Sequence, residues 1–465
     1  MPFPIEHALE PESNAGRAEL ARVEPHSLRT FTPTQAVIAR SAGVYHWTPE
    51  GRRLYDFTSG VLVANLGHNP TDWLRAYARY MGYESASPLP RASDVPAGYT
   101  AAVPMTAYNA ITPVEVGATN RLLKLMRAAS GGGRMEQVMW AASGSEAIQK
   151  ALWACLARDR TRPIILATRF GFHGKKGLAN AVTGSETDSE RDPRVRFISF
   201  PMAECRDVSA RDEPFDFTPY QKELDALLHQ FGARIGTLIT EPYLGGGGSY
   251  HPPKGYLQGL QQFCRHHDIT FIIDEVQSNF GRTASLFAFE AYGLEPDVVV
   301  LGKGLGNGIP VAAAVGRADV FGALGYGEGS DTWSANPLCC AAVQATLDEF
   351  ESRDVIGGMK ASSAIIERGL LALKELPFVA QVRGEQGGMV WGVETRDHAD
   401  RTAADWANAL VLACYQADGG DGIHLLGPLA KKVVRVSPPL VITPDEATAS
   451  VALMQRCARK LNGSS

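Results

Sequence analysis

Short runs of consecutive apolar residues recur through the middle of the chain, separated by longer segments in which apolar positions return every three or four residues. The runs are Gln137 to Ala142, Pro163 to Ala167, Val195 to Ile198, Ile235 to Thr240, Phe271 to Ile273, Val298 to Leu301 and Val311 to Val315. Their length and continuous branched-apolar character are those of strands covered on both faces. Segments such as Glu146 to Arg158 and Gly255 to His267 carry the helical period between them. This alternation predicts an α/β fold with a doubly wound, mostly parallel sheet.

The two ends break the pattern. Residues 44 to 58, VYHWTPEGRRLYDFT, predict a hairpin closed by a Pro-Glu-Gly turn. Thr443-Pro444-Asp445-Glu446 combines an N-cap, a proline at the first helical position and a capping-box glutamate, so a helix is expected to run to about Leu461. The expected organisation is a large domain over residues 76–340, with residues 1–75 and 341–465 forming a small α+β domain from both chain ends. Glycine clusters at 131–133, 245–248 and 325–329, and the polar stretch 185–194, predict loops.

Composition narrows the function classes. A chain of 465 residues, 45% hydrophobic and 20% charged, has the make-up of a globular protein large enough to bury a cofactor. A net charge of −5 offers no basic field for nucleic acid. The start MPFPIEHALEPESNAG has neither a basic nor an apolar targeting region, and no later stretch is long and uncharged enough to span a bilayer, so a cytoplasmic protein without membrane contact is expected. The seven cysteines are odd in number and form no CxxC pair, which predicts buried, reduced thiols. His266 and His267 are adjacent and point about 100° apart on a helix, and no cysteine or carboxylate completes a ligand spacing, so no metal site is expected.

Three stretches carry candidate chemistry. In VLGKGLGNGIP, Lys303 follows an apolar strand and stands among glycines, past the carboxyl end where open α/β sheets bind ligands. It reads either as a solvated loop lysine or as an amine nucleophile that forms an imine with a carbonyl compound. In FIIDEVQSNFGRT, Asp274 ends another strand and reads as an N-cap or as a carboxylate at the same rim. In AASGSEAIQKAL, the turn Ser143-Gly144-Ser145 opens a helix whose N–H groups suit a phosphate, although a plain N-cap has the same signature. The mononucleotide motif GxxxxGK[ST] is absent, and GLGNG lacks the dinucleotide spacing. An amine nucleophile, a rim carboxylate and a phosphate cradle together are the requirements of pyridoxal 5'-phosphate. A carboxylate about 3 Å from the pyridinium, at an effective dielectric of about 20, contributes roughly 5 kcal/mol toward keeping that nitrogen protonated. An aldolase that uses only an imine lysine would need neither the carboxylate nor the phosphate turn.

These residues, in this order, resemble the class III (subgroup II, ω-type) aminotransferases of fold type I, from about Gly43 to Leu461, most specifically through DEVQ…GRT…LFAFEAYGLEPDVVVLGKGLGNGIP. The resemblance implies a pyridoxal-phosphate enzyme that moves an amino group to an α-keto acid by a ping-pong cycle, working as a homodimer, or a pair of dimers, with shared active sites. It implies that Lys303 is the imine lysine and Asp274 the partner of the pyridine nitrogen, and that Gln277 bonds the phenolic oxygen. Gly144 and Ser145 match the phosphate turn, Phe172 in FHG the stacking aromatic, and Glu241 in TEPYLGGGG the acid beside the cofactor aspartate. Thr332 in DTWSANP matches the threonine that reaches the neighbouring subunit's phosphate, and Arg435 in VVRVSPPL the arginine that receives a substrate carboxylate.

Two departures set the expected substrate. Members acting on ornithine or 4-aminobutyrate carry a glutamate after the EP dipeptide that holds the arginine aside, whereas this chain reads Gly245-Gly246-Gly247. The expected donor is therefore an amine or another ω-amino compound, with a pyruvate-like acceptor. FHGKK replaces FHGRT, which puts Lys175 and Lys176 near the site in sequence; Leu62 and Tyr108 are further candidates for the pocket wall. The same lysine would also serve a racemase, an epimerase or an aminomutase of this fold, and a noncatalytic cofactor-binding homologue is the reading from another class.

Overall fold

The computed structural model describes residues 5–87, 94–188 and 191–463. All seven apolar runs become strands of a single seven-stranded sheet. Their spatial order is Gln137–Ala141, Ala312–Gly316, Val298–Leu301, Thr270–Asp274, Ile235–Thr240, Ile164–Thr168 and Val195–Ile198. Neighbours run parallel except Ala312–Gly316, which is antiparallel to both strands beside it. The short loop 302–311 explains the exception, because a parallel return to the adjacent position needs a crossover of about a dozen residues or more.

Five of the strands are buried at every position, as expected for a sheet covered on both faces. Alternate residues divide between two cores. Ile239, Ile272, Val298 and Val300 pack with Ile148 and Leu152 of the helix Gly144–Arg158. Leu238, Phe271, Ile273, Val299 and Leu301 pack on the other face with Leu122, Met126, Leu260 and Leu347.

Two smaller sheets come from the chain ends. The predicted hairpin forms, with Tyr45–Trp47 antiparallel to Arg53–Asp56, and Gly422–His424 adds to it in parallel. A three-stranded antiparallel sheet joins Val379–Gly384, Trp391–Thr395 and Val433–Val436. The last helix spans Pro444–Leu461, and its capping box is made: Thr443 Oγ1 accepts from Glu446 N at 3.3 Å while Glu446 Oε2 accepts from Thr443 N at 2.9 Å. Of the polar stretch 185–194, residues 189 and 190 lie outside the described residues. The seven cysteines are unpaired, six of them buried. Among the described residues no helix is long and apolar enough to cross a membrane.

Arg282 joins these parts. Its guanidinium is fully buried; Nε donates to Asn65 Oδ1 at 2.9 Å, Nη1 to the carbonyls of Met389 and Pro438 at 3.1 and 2.5 Å, and Nη2 to Ser59 Oγ at 2.6 Å. A planar five-donor fork is the side chain that can satisfy four acceptors from distant segments at once. Arg282→Met should therefore leave buried carbonyls unpaired and cost about 3 kcal/mol, read as a lower urea midpoint by circular dichroism. An unchanged midpoint would show that water or repacking satisfies those acceptors.

Candidate active site

Because the strands 164–168, 235–240, 270–274 and 298–301 run parallel, their carboxyl ends open at one edge of the sheet, where the turn after Gln137–Ala141 joins them. A cavity of about 360 Å³ lies there, within the range of small-ligand sites. Its walls include Ser143, Gly144, Ser145, Phe172, Glu241, Asp274, Gln277 and Lys303. The fold thus brings together residues far apart in sequence.

At one part of the wall the helix Gly144–Arg158 begins. Ser143 is its N-cap, with Oγ accepting from Glu146 N at 3.3 Å. The first N–H groups of a helix have no partner inside it, so those of Gly144 and Ser145 are free to meet an anion, with the helix dipole behind them. Ser145 Oγ also accepts from Lys175 N at 3.3 Å.

Asp274 ends its strand with the carboxylate buried. Its Oδ1 accepts from Val276 N at 3.0 Å, and Oδ2 meets Nδ1 of the buried His173 at 2.8 Å. Nε2 of His173 is buried with no hydrogen-bond partner. The adjacent Glu275 turns away: its carboxylate accepts the N–H groups of Ala288 and Phe289 at 2.7 and 2.6 Å, and burial raises its pKa to about 8. Of this acidic pair, Asp274 is the one on the cavity wall.

Glu241 clamps two loops, accepting from Phe172 N at 2.9 Å and Gly245 N at 3.2 Å. Burial lifts its pKa to about 7; the nearby His173 opposes that rise and Asp274 adds to it. Gln277 packs so closely on the glycine loop that a β-carbon at Gly245 would sit 2.1 Å from its Oε1. The same Oε1 accepts from Arg435 Nη1 at 3.1 Å. Arg435 is buried on the strand Val433–Val436, its Nε has no partner, and among the described residues no carboxylate forms an ion pair with it.

Lys303 is half-buried on the wall and holds a left-handed backbone, φ 48°. Removal from water lowers its pKa to about 8, against the pull of Asp274; Arg435 reinforces the fall. Chemically the cavity offers an amine able to lose its proton, a fixed carboxylate, a helix N-terminus and a partly exposed aromatic, Phe172. That donor set matches an aldehyde, a pyridine nitrogen, a phosphate and a ring face, so the residues present fit pyridoxal phosphate.

Other expected residues lie elsewhere. Thr332 is exposed on a loop beside the exposed Trp333, away from this cavity. Leu62 is buried against Tyr243 and Val390, Tyr108 lines a different surface hollow, and Lys175 and Lys176 are exposed. Sequence reasoning missed His173, whose signal was its place next to Phe172, and the apolar wall of Val63, Val276, Ile309 and Pro310, of which the last three lie inside the quoted motifs DEVQ and GLGNGIP.

The fold and this cavity define a cofactor-dependent α/β transferase. The family model for class III aminotransferases matches residues 90–458, and the chain belongs to that pyridoxal-phosphate-dependent family. It is 28% identical over 436 residues to an acetylornithine aminotransferase of Agrobacterium fabrum, covering 93% of this chain and 96% of that protein. A second acetylornithine aminotransferase, from Oceanobacillus iheyensis, is 25% identical over 448 residues and covers 95% and 98%. Among solved structures, the fold is shared with a PLP-bound amine transaminase from an uncultivated Pseudomonas species, with a TM-score of 0.77, 24% identity and 99% of each chain covered. It is shared as well with the ornithine aminotransferase of Toxoplasma gondii, with a TM-score of 0.78, 22% identity, and 97% and 96% covered. The protein is an aminotransferase that uses pyridoxal 5'-phosphate.

In the cofactor-free chain, Lys303 should react with an amine-directed reagent with a half-maximal pH of about 8, whereas surface lysines follow a value of about 10.4. Peptide mass mapping of reductive methylation against pH measures this. A profile for Lys303 that coincides with the surface lysines would contradict the electrostatic picture.

Proposed function

We propose that the enzyme moves an amino group from an amine or ω-amino donor to an α-keto acid in two half-reactions that share one site. The observation that carries this reading is that Lys303, Asp274 and the helix start at Gly144 line a single cavity. Bound there, pyridoxal phosphate would supply a carbonyl carbon for the donor amine and an electron sink.

The chain's residues do the rest. Lys303 would hold the cofactor carbon and, when free, would move a proton at the donor carbon; a lowered pKa suits an amine to both tasks. Asp274 would partner the pyridine nitrogen, and His173 fixes its carboxylate through the 2.8 Å contact. Gly144 and Ser145 receive the phosphate. Phe172 would cover a ring face and Gln277 would bond the phenolic oxygen, while Glu241 holds the loops that carry Phe172 and Gly245. Thr332, exposed on its loop, reaches the phosphate of a second copy of this chain in a homodimer. Residues 76–340 carry the cofactor, and 1–75 with 341–465 form the smaller unit beside it.

Arg435 bears on the substrate. Its one hydrogen bond among the described residues goes to a neutral amide, Gln277, so its guanidinium is free to take an acceptor's carboxylate through a bidentate pair. The glycines at 245–247 supply no acid to occupy it.

The deciding experiment follows the visible absorption of the purified enzyme as single amines are added without keto acid. Bleaching by one donor class, reversed on adding keto acid, is expected. A band that no donor changes would remove the transamination cycle proposed for this site. Lys303→Ala should abolish turnover. Arg435→Gln should lower kcat/KM for the keto acid by roughly 10- to 100-fold, the loss of a charged hydrogen bond, and leave bleaching by a carboxylate-free amine nearly unchanged. Equal losses on both sides would place Arg435 outside acceptor binding.

A further inference from the structure

Away from the active site, on the sheet built from both chain ends, three imidazoles surround one carboxylate. Asp56 Oδ2 is 2.7 Å from His68 Nε2 and 3.5 Å from His46 Nε2, and these donor atoms all lie within 4.8 Å of one another. The sheet explains the convergence. His46 pairs with Leu54, and Asp56 with His424, so the period of two puts His46, Asp56 and His424 on the same face. The turn that ends in Gly67 then brings His68 back over them; its ring centroid lies 4.5 Å from that of His46.

A buried aspartate beside one histidine is an ordinary ion pair, and one imidazolium is enough to neutralise Asp56. This cluster holds more than that. The Nδ1 of His424 is buried with no hydrogen-bond partner, and its ring packs edge-on to His46 at 5.4 Å. Among the described residues no lysine or arginine forms an ion pair with Asp56.

The outer contacts aim the donors inward. Nδ1 of His46 bonds Ser41 Oγ at 2.7 Å, which leaves Nε2 toward Asp56. Asp56 Oδ1 is already taken, accepting from Thr58 N and Thr58 Oγ1 at 2.7 Å and from Ser59 N at 3.0 Å, so Oδ2 is the oxygen on offer. Donors about 2.0–2.2 Å from a tetrahedral ion lie about 3.4 Å apart. The His46 to Asp56 separation of 3.5 Å already fits. The His68 to Asp56 separation of 2.7 Å must widen, and His68 is the most exposed of the three side chains, which also gives an ion its way in.

We propose that His46, Asp56 and His68 form a binding site for a divalent transition-metal ion of the zinc class. Two imidazoles and one carboxylate leave a fourth position for water, and imidazole donors favour zinc-like ions over magnesium or calcium. No short spacing marks it in the sequence, because the ligands belong to two strands and a later turn.

The test uses the untagged holoenzyme, dialysed against micromolar Zn²⁺ and assayed for metal by atomic emission, with Co²⁺ as a spectroscopic probe. The expected result is one ion per chain and visible Co²⁺ bands of low-symmetry coordination. His46→Gln and His68→Gln should each weaken Zn²⁺ binding by roughly a hundredfold, since losing even a group that only orients a ligand costs about 10- to 100-fold. His266→Gln, at an exposed histidine, should bind as wild type does. Circular dichroism checks folding, and the more exposed His68→Gln carries the test if His46→Gln does not fold. No Zn²⁺ or Co²⁺ uptake by the wild type, or unchanged uptake in the folded variants, overturns the proposal.

Discussion

The structure depends on how charge is held out of water at the carboxyl edge of a parallel sheet. Lys303, Asp274 and Glu241 line one cavity, Arg435 reaches it through Gln277, and an isolated buried charge costs several kcal/mol. Each group is therefore met by a specific partner: His173 for Asp274, the N–H groups of Phe172 and Gly245 for Glu241, and the amide of Gln277 for Arg435. Lys303 is the exception. No hydrogen bond to its amine appears among the described residues, and removal from water lowers its pKa to about 8. That lack of a partner suits the imine chemistry proposed for Lys303, since a tight ion pair would hold the amine protonated.

The surrounding fold is what makes such a cluster rigid. Strands buried at every position leave the rim residues little freedom, and both faces of the sheet are packed by separate cores. The glycine loop after Glu241 works in the same direction. With no side chains at 245 and 246 the loop lets Gln277 and Phe172 come in close, where a β-carbon would meet them at 2.1 and 2.9 Å. Its composition therefore serves packing, and positions 245–247 themselves offer Arg435 no carboxylate.

Much of this was legible in the sequence, for a physical reason. The seven central strands stand out because burial on both faces demands unbroken apolar runs, and Lys303, Asp274 and Gly144 stand out because each interrupts or ends such a run. Capping at Thr443 was legible because it is local. What depends on distant pairing was not. Gly422–His424 is three residues long and joins a strand more than three hundred residues earlier, so no periodicity announces it. His173 is invisible as a partner of Asp274 until the strands 164–168 and 270–274 place their ends together. Arg435 and Thr332 are ordinary strand and loop residues by pattern, singled out by family resemblance alone.

One strained segment connects the outer sheet to the active site. Ser59, Gly60, Val61 and Leu62 all have left-handed backbones, with φ of 47°, 60°, 67° and 60°. Such a conformation costs a residue with a β-carbon about 1–2 kcal/mol, so three of the four must be held in place. At the start of the turn Asp56 Oδ1 takes the N–H groups of Thr58 and Ser59; Arg282 and the carbonyl of Ser437 take the Ser59 hydroxyl; at its end Leu62 is buried against Tyr243. The next residue, Val63, lines the cavity that contains Lys303. The carboxylate that anchors the turn is thus the one encircled by histidines, and the turn leads to a wall residue of the cavity that contains Lys303. Strain of this kind persists only where its surroundings overdetermine it, and here they do so from both the histidine cluster and the buried arginine.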